Sequence, residues 1–218
     1  MESRQPVERV KPRLRGVFHL CACIVTIPLG IALVLVTDTL RGRIAASVFA
    51  ASVVLMFGAS ALYHVPTWRP AWRSWLRRLD HAGIYGLIAG SYTPVGLLVL
   101  HGSWRIVVLA IVWSGALTAA SVRLFWTSAP KWVSALAGVT LGWIGIVVFP
   151  QIIRGVGLTC ALLILAGGIA YSLGAAVYAV GRPDPFPAVF GYHEIFHLLV
   201  IAAVALQYSA IAFFVLPT

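Results

Sequence analysis

Two histidines one helical turn apart, His193 and His197, enclose Glu194 in the run Gly191-Tyr192-His193-Glu194-Ile195-Phe196-His197. Imidazoles at i and i+4 leave a helix from one face and can reach a single metal ion. The spacing His-Glu-x-x-His points to zinc. These residues open a long apolar segment, where polar groups are costly and need partners or a function. Read alone, they fit equally an interfacial histidine pair bonded to loop carbonyls.

What decides between the two is which elements bring further polar residues to the same level. A spanning helix needs about 20 mainly apolar residues. Seven segments qualify: 17–36, 44–65, 81–100, 104–124, 132–149, 156–180 and 192–216. Polar breaks at 38–43, 66–80, 101–103, 127–131, 150–155 and 181–191 separate them. The fold class is therefore an all-α membrane protein, a seven-transmembrane helix bundle (17–218) behind a basic N-terminal segment (1–16).

Composition agrees. The 218 residues are 61% hydrophobic and 10% charged, with mean hydropathy +0.95, whereas a soluble chain carries about 25% charged residues. The net charge of +10 does not signal nucleic acid, because the basic residues are spread over short loops, where they orient the chain and meet anionic headgroups. Twelve sit at one set of ends (Arg4, Arg9, Lys11, Arg13, Arg15, Arg69, Arg73, Arg77, Arg78, Arg123, Lys131, Arg182) and four at the other (Arg41, Arg43, Arg105, Arg154). The asymmetry predicts a cytoplasmic N-terminus and, with seven spans, an outside C-terminus. Trp68, Trp72 and Trp75 among those arginines suit a short interfacial amphipathic helix. Cys21, Cys23 and Cys160 read as small core residues.

On this topology Ser60 and His64 lie one turn apart at the inner end of the second span. Asp80 opens the third, and His193 and His197 start the seventh at the same level. Five polar residues from three helices thus share a layer. Neutral His64, His193 and His197 would hold zinc with one open position. Asp80 could manage the proton of a water there, and Ser60 could bind a developing oxyanion. A helix cap or a partner for Arg77 or Arg78 is the plainer role for Asp80, and ordinary packing is the plainer role for Ser60. Glu194 reads equally as general base or as a loop-facing partner. His19 is second shell or interfacial, with the interfacial reading preferred. His81 is a neighbour, and His101 is solvated in an outer loop.

The stretches Lys11–His19, Ser60–His64, Leu79–Tyr85, Ala89–Pro94 and Gly191–His197 resemble the hemolysin III branch of the progestin and adipoQ receptor family, in order and over almost the whole chain. The resemblance implies seven helices with a cytoplasmic N-terminus and zinc held at His64, His193 and His197, with Ser60 and Asp80 beside the metal water. Gln207-Tyr208 departs from a histidine found in many bacterial relatives. Eukaryotic members are receptors with ceramidase-like activity, and the bacterial branch is linked to haemolysis and membrane-fluidity homeostasis. The expected function is a zinc-dependent hydrolase of an amide or ester lipid, or a lipid sensor, in a bacterial plasma membrane. Its partners are membrane lipids, with neither nucleic acid nor a protein partner indicated. The alternatives are a pore-forming cytolysin, which continuous apolar spans without a polar stripe do not favour, and an intramembrane zinc protease using Glu194.

Overall fold

The computed structural model of the chain describes residues 11–126 and 130–217. Among these there is no strand, and the order is α1 (Val17–Leu35), α2 (Leu40–His64), α3 (Pro70–Pro94), α4 (Ser103–Phe125), α5 (Lys131–Gly142), α6 (Phe149–Val180) and α7 (Tyr192–Ala210). A 3-10 segment, Trp143–Val148, joins α5 to α6, and π-helical turns (Val95–Val99, Ile211–Val215) extend α3 and α7.

Among the described residues, six helical stretches are long and apolar enough to cross a membrane, which makes this an integral multi-pass membrane protein. That is one fewer than the predicted segments, because 132–149 and 156–180 fall within one 50-residue helical stretch, Lys131–Val180. This stretch is not straight. The Trp143 indole donates to Ser172 Oγ at 2.9 Å, although 29 residues of ideal helix would part them by about 43 Å. Gly157, at φ 84°, interrupts α6 with a conformation that side chains disfavour. Tyr92 secures the 3-10 segment from α3, donating to the Gly142 carbonyl and accepting from the Gly145 N–H at 2.7 Å.

Two predicted breaks are corrected. Residues 150–155 are helical, since Pro150 occupies the first turn of α6, where its missing N–H costs no bond. Residues 70–80 are the first turns of α3, again opened by a proline, Pro70, so Asp80 lies inside a helix rather than at its start. The break at 127–131 falls largely outside the described residues, as do residues 1–10 of the N-terminal segment.

The buried interior mixes small and large apolar side chains: Ala46, Phe49, Met56 and Phe57 on α2 pack in one cluster with Leu87, Val200 and Val204. Large apolar groups such as Ile24, Leu35, Leu55, Ile106 and Phe125 face outward, as lipid contact requires. Cys160 is buried, but Cys21 is exposed and Cys23 half-buried, against the expectation of core positions for all three.

Candidate metal centre

His64 is the last residue of α2, and His193 and His197 lie in the first two turns of α7. Helix periodicity points the α7 pair at one side, and α2 delivers His64 to meet them. The two Nε2 atoms of His64 and His193 stand 3.1 Å apart. One potential ligand atom from each of the three side chains lies within 4.8 Å of the others. All three are buried, at 8%, 9% and 1% exposure. Three converging neutral imidazoles are a set that can hold a metal ion. A single N–H···N bond would satisfy the close pair but leaves His197 Nδ1, which is buried and has no hydrogen-bond partner.

The predicted neighbours assemble around this cluster. Asp80 Oδ2 is 3.5 Å from His64 Nε2 and 3.5 Å from His81 Nδ1. His81 Nδ1 lies 2.7 Å from the Arg77 carbonyl, which can only accept. The proton is therefore on Nδ1, leaving Nε2 to accept from the Tyr178 hydroxyl at 3.3 Å. His81 is thus a neighbour of Asp80 and outside the three-histidine cluster. Ser60 Oγ lies 2.8 Å from His19 Nδ1. The His19 ring stacks on His197 at 3.7 Å, 13° from parallel.

The preferred interfacial reading of His19 is therefore corrected: at 2% exposure it backs the cluster. A histidine in the first turn of an apolar helix was the available signal. Glu194 is held from two sides. Its Oε2 accepts the Gly191 N–H at 2.8 Å, capping α7. Its Oε1 pairs with Arg15 Nε at 2.6 Å. Both oxygens are engaged, so it is the loop-facing partner. His101 is exposed, as expected.

Residues 11–16 close this end of the bundle. The Arg13 and Leu14 N–H groups donate to the Ala188 and Val189 carbonyls, and Lys11 Nζ donates to the Val65 carbonyl. Burial, then the nearby Arg73 and Arg15, lowers the Lys11 pKa. Gly16, at φ 84°, lies so close that a Cβ would stand 2.5 Å from His64 Cβ.

From the histidines a cavity of about 180 Å³ runs between α3, α5, α6 and α7. Its wall on α3 reaches from Asp80 to Leu100, a rise of about 30 Å. Below the histidines the lining is mainly apolar, with Leu87, Val95, Val108, Ile152 and Val200 contributing.

The model of the haemolysin-III related family matches residues 7–208. The chain belongs to that family. It is 32% identical to hemolysin-3 of Bacillus cereus over 93% of this chain and 91% of that protein. It is 30% identical to a hemolysin-3 homolog of Bacillus subtilis over 77% and 76% of the two chains. The human monocyte to macrophage differentiation factor matches at 26% over 80% and 72%, which places this haemolysin III chain beside the progestin and adipoQ receptor proteins.

Proposed function

We propose that this haemolysin III protein is a zinc-dependent hydrolase, or a sensor, of an amide or ester lipid in a bacterial plasma membrane, and that it adjusts membrane composition. The observation that carries this reading is the apolar cavity that ends on Asp80, Ser60 and two members of the three-histidine cluster, His193 and His197. An acyl chain suits its wall, and the polar end of a lipid would then meet the only cluster of converging imidazoles among the described residues.

The donor set fits zinc. Zinc takes imidazole nitrogens, and here one from each histidine lies within 4.8 Å of the others, with 3.1 Å between His64 and His193. Zinc there would supply Lewis acidity and a lowered water pKa. The chain's own part is positioning and proton handling. Asp80 lies beside the histidines without belonging to the cluster, suited to take a proton. If His19 donates from Nδ1, the Ser60 hydroxyl keeps its own proton free for a carbonyl oxygen. The apolar wall excludes water from the chain of the bound lipid.

We infer seven crossings with a cytoplasmic N-terminus. The reversal within Lys131–Val180 gives two limbs, and Lys131–Val148 alone rises about 30 Å, the thickness of a bilayer core. The twelve-to-four distribution of basic residues supports this orientation. Glu194's engagement as a cap argues against a protease base. The apolar lining argues against a conducting pore.

Elemental analysis of purified protein tests the centre: about one zinc per chain, sharply reduced in His64→Ala, His193→Ala and His197→Ala and unchanged in His101→Ala. Fatty-acid release from a panel of lipids tests the chemistry. Asp80→Asn should keep the metal and lower release by about 10²- to 10⁴-fold. Full zinc in His64→Ala would overturn the centre. Retained zinc without release from any lipid would leave the sensor.

A further inference from the structure

The lining of the cavity on α6 follows one helical stripe: Ile164, Gly168, Tyr171, Ala175 and Tyr178, spaced at alternating four and three residues. At its upper end the Tyr178 ring lies 5.9 Å from that of His193, so Tyr178 is level with the histidines. At the lower end the Ile164 carbonyl accepts from Gln207 Nε2. Tyr171 sits between, seven residues or about 10 Å below the histidine layer.

Several other hydroxyls along the cavity are occupied. Ser172 bonds Trp143 and the Gly168 carbonyl, Ser91 donates to its own helix, and Tyr92 is held by Gly142 and Gly145. The Tyr171 hydroxyl is buried and has no hydrogen-bond partner. Ser134 Oγ, also without one, is a different case, because a serine can turn to a carbonyl of its own helix. A phenol oxygen lies too far from its backbone to do so. An unmet hydroxyl in hydrocarbon is a standing cost that phenylalanine would avoid while filling the same space.

We propose that the Tyr171 hydroxyl is a specificity determinant that hydrogen-bonds an oxygen on the ligand's chain, so that the ligand is an oxygenated acyl lipid, with a hydroxyl or keto group near mid-chain. The inference rests on the reading of the cavity as an acyl-chain site and narrows it. A lipid whose polar end lies at His193 and whose chain follows the α6 stripe passes Tyr171 about 10 Å further on. A chain oxygen at that depth meets the hydroxyl. A plain chain leaves it unmet, and sites built to bond an oxygen discriminate through that penalty.

The test is competition against a fluorescent acyl probe bound to the purified full chain in nanodiscs. The competitors are stearate, stearate hydroxylated near mid-chain, and stearate hydroxylated beside the carboxyl. Wild type should prefer the mid-chain hydroxyl by about 5- to 100-fold. Tyr171→Phe should lose that preference, bind plain stearate at least as well, and unfold no more easily without ligand, since no bond is removed. Equal competition by all three stearates in wild type would overturn the inference and leave the cavity reading intact. So would a preference that survives in Tyr171→Phe, the result expected if the hydroxyl bonds only a water. A ligand-free Tyr171→Phe protein of reduced stability would show that the hydroxyl has a protein partner, and would refute the proposal. Displacement by none of the three would end both readings.

Discussion

Replacing Glu194 separates helix cap from catalytic base. Its carboxylate is fully buried and has two partners: the Gly191 N–H at 2.8 Å and Arg15 Nε at 2.6 Å. Glu194→Ala removes both. Breaking one side of a buried ion pair costs about 3–5 kcal/mol, and the lower end applies because the Arg15 side chain remains 20% exposed. Glu194→Gln keeps an acceptor for Gly191 and loses the charge, a cost of about 1.5–3 kcal/mol. Reversible unfolding in mixed micelles should rank wild type above Glu194→Gln above Glu194→Ala. In a double-mutant cycle with Arg15→Gln, the coupling should exceed the roughly 0.5 kcal/mol scatter of independent sites. Zinc content and lipid release per folded molecule should hold in Glu194→Gln. A stable Glu194→Gln protein that binds zinc and has lost release, with Asp80→Asn still active, would refute the cap assignment and restore the protease-like base.

Gly16→Ala should destabilise the protein by several kcal/mol, since a β-carbon meets His64 Cβ at 2.5 Å and left-handed backbone adds about 1–2 kcal/mol; zinc content and thermal unfolding read both effects, and a wild-type profile would dismiss the close packing. Tyr92→Phe strips both bonds that tie α3 to the 3-10 segment and should cost about 1–3 kcal/mol. Hydrogen exchange should rise at residues 142–148 in that variant, and unchanged protection would count against Tyr92 as the anchor.

Some of this was legible because polar residues stand out in apolar runs. His193 and His197 declare themselves by spacing, and charge asymmetry brings His64, Ser60 and Asp80 to the same level. His19 stood between two readings because its partner Ser60 is 41 residues away and its stack on His197 follows no period. Glu194 had two readings until Arg15, distant in sequence, engaged it. A short helix around Trp72 and Trp75 was legible, but its continuity with α3 was hidden because Arg73, Arg77 and Arg78 break an apolar run without weakening a helix. Proline misled at 150, where it begins a helix rather than ending one. Tyr171 looks like any membrane aromatic until its neighbours are known, since an unmet hydroxyl is a property of the packed wall.

The pairing of His64 with His193 spans 129 residues, and that separation sets a schedule for biogenesis. When the first three helices have entered the membrane, Ser60, His64 and Asp80 are already there, and the α7 histidines that complete their setting are still to be synthesised. Ser60 and Asp80 already have partners within those helices, whereas His64 must wait through the insertion of three more hydrophobic stretches for the α7 histidines. A chain stopped before His193 cannot complete the cluster. The histidine centre therefore forms last, and only in a chain whose final helix has reached its place beside α2.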